Sequence, residues 1–249
     1  MMKKLKIVLY PICALLLLIA GWNLWKIKSS TDHTQKLYTN LAKETETEST
    51  DNGKSTETES STNSWLTELQ NQNDELVAWI KIPGTVIDYP VMQTGSDNDY
   101  YLTHNFNKEE DAHGAPFLDV NCKIGESENL IIYGHHMKDK TMFQNLMLYK
   151  DADFCESNGT IEFYTPTENS KYQVIFVILI TAEQAKKFPY YKCVDLSNDE
   201  VYEGFFQQCS RYAIWQSDDL PSAGTNLITL STCEYSQTDG RLVVVASQT

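Results

Sequence analysis

The sequence predicts a mainly β domain, a barrel of short strands with helices inserted, preceded by an N-terminal helix and a transmembrane helix. Three observations predict it. From residue 65 onward, short β-branched and aromatic runs alternate with clusters of Pro, Gly, Asn, Asp and Ser. That portion, about 185 residues, is long enough for one good core. It ends in two apolar runs, Asn226–Tyr235 and Gly240–Val245, joined by a short polar loop, which is a hairpin signal.

The elements follow in order. Ser64 can cap a helix starting at Trp65, with Leu66, Leu69, Leu76, Val77 and Ile80 giving a mostly helical period. Trp79–Ile82 reads as a short strand, broken by Pro83-Gly84, and Val86–Gln93 alternates as a second. Ala115–Val120 and the buried run Leu130–Tyr133 add two more. Thr141–Asp151 carries a helical pattern. Thr160–Tyr164 and Tyr172–Ile180 flank a Pro-Thr-Glu-Asn-Ser turn as a hairpin, and Asp199–Cys209 reads as a helix. Many short strands with few helices imply a closed β architecture.

The chain in front of this domain divides into three. Residues 1–6, rich in lysine, read as a cytoplasmic tail, and 7–25 as a transmembrane signal anchor. The 19 residues of that span give roughly 28 Å of helix, close to the ~30 Å hydrocarbon core. A cleavable signal peptide fits less well, because Leu18-Ile19-Ala20 supplies only half of a small-x-small site. Residues 26–64 read as a disordered stalk rich in Ser, Thr and Glu. Between Lys43 and Ser64 there are 11 Ser/Thr and 6 Asp/Glu and no aliphatic or aromatic side chain, too little apolar surface to offset ordering entropy. Residues 65–249 are then the domain, placed outside the cell on a single-pass tether.

Charge excludes one class of partner. The chain holds 34 acids and 20 bases, the first 64 residues 7 and 8, so the domain carries 27 against 12. Phosphate backbones would be repelled, so no nucleic acid is expected. The cysteines at 122, 155, 193, 209 and 233 show no CxxC spacing, so neither metal nor cofactor is expected. Any disulfide among Cys122, Cys155, Cys193 and Cys209 stays open, and an odd count leaves at least one thiol free.

Three positions carry chemistry. Cys233 ends a strand among polar neighbours, Ser231, Thr232 and Glu234, which argues against a dry core. An unassisted thiol is mostly protonated near neutrality, so a nucleophile needs a base or a cation beside it. Arg241 opens the next strand, and it is one of two arginines against 18 lysines. A guanidinium is a rigid, permanently charged fork suited to an oxyanion or a carbonyl. His135 and His136 follow the strand Asn129–Ile132 after Tyr133-Gly134, where a turn sets the next side chains at the sheet edge. Histidine suits proton transfer near neutrality, and spacing alone does not choose between the two.

Thr229-Leu230-Ser231-Thr232-Cys233, with Gly240-Arg241-Leu242-Val243-Val244 after it and Tyr133-Gly134-His135-His136-Met137 before it, resembles a sortase, most closely class B, over roughly residues 65–249. Trp79–Gly84 and Ile87–Val91 resemble the family as well. The resemblance implies an eight-stranded β-barrel and a membrane-anchored cysteine transpeptidase of a Gram-positive cell. On it, Cys233 is the nucleophile, His135 the catalytic histidine with His136 a variable neighbour, and Arg241 the oxyanion or substrate-orienting residue. Asn98, Leu102, Tyr133, Ser231, Thr232 and Glu234 correspond to substrate-pocket positions. The implied partners are secreted proteins bearing a C-terminal sorting motif and a peptidoglycan-precursor amine, with the membrane reached through the N-terminal helix. Two other roles fit the anchor and domain: a membrane-tethered binding module, and a sortase that polymerises pilins.

Overall fold

In the computed structural model, residues 17–22, 28–29, 31–43 and 63–249 are described. Nine strands carry the domain: β1 Leu76–Lys81, β2 Asp88–Met92, β3 Phe117–Leu118, β4 Asn129–Tyr133, β5 Thr160–Tyr164, β6 Asn169–Thr181, β7 Ala213–Gln216, β8 Leu227–Glu234 and β9 Gly240–Gln248. They pair in the order β5-β1-β2-β3-β4-β8-β9-β6-β7, and β5 also pairs with β6. That extra pairing closes a ring of eight strands, with β7 attached outside it on β6. Closure removes exposed strand edges. The joins β2–β3 and β4–β8 are parallel, and the other pairings are antiparallel.

Strands β8 and β9 are buried on both faces for most of their length. Ile228, Leu230, Leu242, Val244 and Ala246 belong to the main core, with Trp79, Val174 and Val177. Leu227, Val243 and Val245, on the opposite face, pack in a second cluster with Ile175, Phe176 and Ile178 of β6 and with Phe205, Phe206 and Cys209. A strand covered on both faces reads as a continuous apolar run, which is how both runs read in the sequence.

The helices are α1 (31–43), α2 Ser64–Gln72, α3 Ala152–Ser157, α4 Ala182–Lys187 and α5 Asp199–Tyr212. Helix α5, with Asn198 accepting from Glu200 N and Val201 N as its cap, sets its buried face of Tyr202, Phe205, Phe206 and Cys209 on the second cluster. Three 3₁₀ segments, Tyr100–Leu102, Phe143–Lys150 and Tyr190–Lys192, sit between strands.

Several expectations are corrected. Helix α2 stops at Gln72, so Leu76, Val77 and Ile80 lie in β1. Asn73 ends the helix because its amide bonds Tyr101 Oη and Phe106 O, tying the chain down before another turn can form. Ser64 is the first helical residue and not the cap; Asn63 holds that place, its amide spent on Thr165 O and Asn169 Oδ1. The helix expected at Thr141–Asp151 is a 3₁₀ segment entered through Met142 at φ 53°.

The expected stalk is also corrected in part. Residues 31–43 are helical and docked. Thr34, Tyr38 and Leu41 are buried, the Tyr38 hydroxyl donates to Gly114 O at 2.7 Å, and its ring meets Tyr89 edge-on at 5.5 Å. The polar composition that predicts disorder begins only after α1, and residues 44–62 lie outside the described residues. Most of the expected span 7–25 lies outside them too. Residues 17–22 are helical, and no helix among the described residues is long and apolar enough to cross a membrane.

Candidate active site

The site is built where β4, β8 and β9 run side by side. In the β8–β9 ladder Cys233 pairs directly with Arg241, and Ser231 with Val243. Side chains directly opposite in an antiparallel pair share a face and stand about 5 Å apart at Cβ. That face is the outer one: Cys233 and Arg241 continue the row of Leu227, Val243 and Val245, and both are half-buried where the fully buried stripe ends. The Arg241 Nη1 donates to its neighbour's carbonyl, Gly240 O, at 2.9 Å.

On the other side β4 runs parallel to β8, with Tyr133 level with Ser231. The contact continues one residue past the strand. Gly134 N donates to Ser231 O at 3.2 Å, and the Thr232 hydroxyl donates to Gly134 O at 2.7 Å. A Cβ at Gly134 would lie 2.6 Å from Phe143 Cγ, so glycine is needed there for close packing. His135 therefore leaves the sheet at the level of Cys233. Its Nε2–H donates to Leu102 O at 2.8 Å, which fixes the ring and leaves Nδ1 for proton exchange. Phe143 N donates back to His135 O at 2.9 Å and closes the loop 135–143 at its base.

His136 takes a different place. Its Nδ1–H donates to the main-chain carbonyl of Cys233 at 2.9 Å, and its ring lies 4.9 Å from that of Tyr235. It braces the main chain at Cys233.

The residues assigned to the substrate pocket take different places. Leu102 and Tyr133 flank the histidine. Asn98 and Tyr133 converge on one carboxylate: both donate to Asp119 Oδ2 at 3.0 Å, and Asn98 Oδ1 accepts from Val120 N. Burial, then Asp119, raises the Tyr133 phenol well above its ordinary range and keeps it a donor. Ser231 lies on the Cys233 face, but its hydroxyl is buried against that of Tyr190 at 2.9 Å. Thr232 and Glu234 alternate to the opposite face and are buried. Glu234 accepts from Lys150 Nζ at 2.8 Å and from both the amide and hydroxyl of Ser236. Burial pushes its carboxyl up, but the Lys150 and Ser236 bonds outweigh it and hold the group below its usual value.

Three participants escaped the sequence reading. Asp119 organises Asn98 and Tyr133, Lys150 neutralises Glu234, and Tyr190 roofs Ser231 close to Cys233 and Arg241. None sits in a short motif, so no local pattern marks them. All five described cysteines are free thiols. Burial raises those of Cys122, Cys155 and Cys193 to about 11, which leaves them protonated and inert. Among the described residues, no group of three or more His, Cys, Asp or Glu is arranged to hold a metal ion.

A half-buried thiol facing a guanidinium, level with a histidine on the neighbouring strand of a closed barrel, defines an enzyme with a cysteine nucleophile. A family model of the sortase domain matches residues 80–249. The sortase B of Staphylococcus aureus (strain NCTC 8325 / PS 47) is 35% identical over 181 residues, 72% of each chain. That of Listeria monocytogenes serovar 1/2a is 34% identical over 179 residues, 71% of this chain and 70% of the other. A solved Staphylococcus aureus sortase B–substrate complex superposes with a TM-score of 0.77 at 29% identity, covering 89% of this chain and 98% of that one. The chain belongs to the sortase family of cysteine transpeptidases, and the relatives it matches are of class B.

Proposed function

We propose that this sortase cleaves a C-terminal sorting motif of secreted proteins after its threonine and joins the acyl part to a cell-wall peptide amine. The Cys233 thiolate adds to the threonine carbonyl. The Arg241 fork, opposite it in the ladder, supports the charge that grows on the carbonyl oxygen. As the tetrahedral adduct collapses, the C–N bond breaks and His135 gives a proton to the departing amine, leaving a thioester on Cys233. An incoming amine then attacks the thioester, loses its proton to His135, and takes the acyl group as Cys233 departs.

In this reading Asn98, Leu102, Tyr133 and Ser231 shape the motif pocket, and Thr232 and Glu234 hold its floor from the other face. Residues 7–25 anchor the enzyme in the cell membrane as a single pass, with the catalytic domain outside, where secreted substrates emerge. The observation that carries the reading is the direct pairing of Cys233 with Arg241 inside the family-matched domain.

The test is a sorting-motif peptide library assayed with and without an added peptide amine. Cleavage that shifts from hydrolysis product to amine adduct supports transfer. Turnover that ignores the amine contradicts it. A product that is only a polymer of pilin-like subunits would favour the pilus-building alternative.

A further inference from the structure

His113 is buried, and both of its ring nitrogens face carboxylates. Nδ1 lies 2.9 Å from Asp111 Oδ1, and Nε2 lies 2.7 Å from Asp139 Oδ2. A neutral imidazole has one N–H and one lone pair, and a lone pair aimed at a carboxylate oxygen at that distance repels it. The geometry fits a ring protonated on both nitrogens.

Its two partners belong to different parts of the chain. Asp111 lies in the segment 99–115, which also carries Leu102, the carbonyl that binds the His135 ring. Asp139 lies at the tip of the loop 135–143, the loop that starts with His135 and is closed by Phe143 N to His135 O. Asp139 is itself fixed, its Oδ1 accepting from the amide and hydroxyl of Thr141. The same two segments are therefore joined twice, once at the His135 ring and once at His113. Helix α1 braces the near side: Thr34 hydrogen-bonds Asp111, and Tyr38 bonds Gly114 O.

We propose that His113 is a positioning residue for the transfer reaction: its doubly protonated ring, gripped by Asp111 and Asp139, holds the histidine loop against the segment that orients His135. The proposal rests on the reading of His135 as the proton donor and deepens it with a residue that touches neither thiol nor substrate.

The charges around the ring agree. Burial works against the imidazolium, but the bonds from Asp111 and Asp139 outweigh it and raise His113 above its ordinary value. Burial likewise raises Asp111 and Asp139; hydrogen bonds led by His113 bring Asp111 down to about 2, and bonds led by Thr141 lower Asp139. Tyr38 from α1, which burial raises beyond its ordinary range, and Tyr89 from β2, which burial raises to about 12, face the two carboxylates and stay neutral, and the charged Asp88 of β2 and Lys140 of the histidine loop line the same pocket as Asp139. A group raised in the folded state contributes its grip at low pH and loses it as pH climbs through the raised value. The grip is thus present below the raised value and released as pH climbs through it.

The test is the pH profile of peptide cleavage by the full chain and its variants. His113→Gln is expected to lower kcat about tenfold with KM within about twofold, because the histidine loop is displaced and the motif pocket is not. Asp139→Asn removes one charge from the ring and is expected to move the alkaline limb of kcat toward neutral by about one pH unit. An alkaline limb that stays in place in Asp139→Asn, or a folded His113→Gln with unchanged kcat, overturns the proposal. If His113→Gln does not fold, Asp139→Asn decides alone. His135→Ala separates the two levels: an inactive His135→Ala beside a wild-type-like His113→Gln removes only this proposal, whereas an active His135→Ala removes the reading beneath it as well.

Discussion

Glu234 follows Cys233 directly in the chain, yet it is bonded to Lys150, 84 residues upstream, at 2.8 Å on the face away from the thiol. Strand alternation produces this division: Cys233 ends the row of odd positions on the outer face, and Thr232 and Glu234 turn to the opposite one. Lys150→Met should therefore act on stability before chemistry. It leaves a buried carboxylate without its cation, a cost of about 1–3 kcal/mol, read as a fall in the urea midpoint. Because the folded pairing holds the Glu234 carboxyl low, its contribution is present above the ordinary glutamate range and lost as pH falls through the lowered value. The difference between wild type and Lys150→Met should accordingly shrink in acid. A constant difference from neutral pH down to strong acid would contradict the pairing.

Arg241→Lys keeps the charge opposite Cys233 and removes the fork. Loss of a preorganised oxyanion donor costs on the order of 10²–10³ in kcat. The expected result is a fall of that size with the thiol still alkylated at a similar rate. A Lys variant near wild-type kcat would reduce Arg241 to a general field.

The two adjacent histidines should separate cleanly. His135→Ala removes the proposed proton donor, worth about 10²–10⁴-fold. His136→Ala removes the bond to the Cys233 carbonyl and should cost much less. Kinetics of both variants on one peptide decide it, and the reverse order would reassign the base.

Gly134→Ala tests how the histidine is aimed. Its new Cβ would fall 2.6 Å from Phe143 Cγ, so the turn must shift. The expected cost is about 1–3 kcal/mol in stability, with a loss of kcat that exceeds any change in KM. Full activity would mean the turn is looser than its packing implies.

Helix α1 gives a prediction about the N-terminal region. Amide exchange should be slow at residues 34–41, where Thr34, Tyr38 and Leu41 are buried, and Tyr38→Ala should release it. Rapid exchange there in the wild type would restore the stalk expectation.

The sequence made the barrel and its Cys233–Arg241 pair legible for a physical reason. β8 and β9 are covered on both faces, so their apolar runs are continuous, and the polar break at Ser231–Glu234 stands out against them. The pairing of Cys233 with Arg241 follows from a hairpin whose loop is short. By contrast, β7 has only four residues and alternates half-buried with exposed positions, so nothing marks it. Helix α4 carried a readable signal: Thr181 and Gln184 form a reciprocal capping box. Helix α1 was hidden because its neighbours in sequence are polar, while its three buried contacts are made to residues some 50 to 80 positions away. Asp119, Lys150 and Tyr190 were illegible for the same reason, since each acts through a partner distant in the chain.

The most direct measurement is intact-protein mass spectrometry after a brief reaction with a cleavable sorting-motif peptide, in wild type and in Cys233→Ala. A mass gain equal to the acyl fragment, mapped to Cys233, lost on adding a peptide amine and missing from Cys233→Ala, is the predicted result. An adduct on another residue, or turnover by Cys233→Ala, would contradict it.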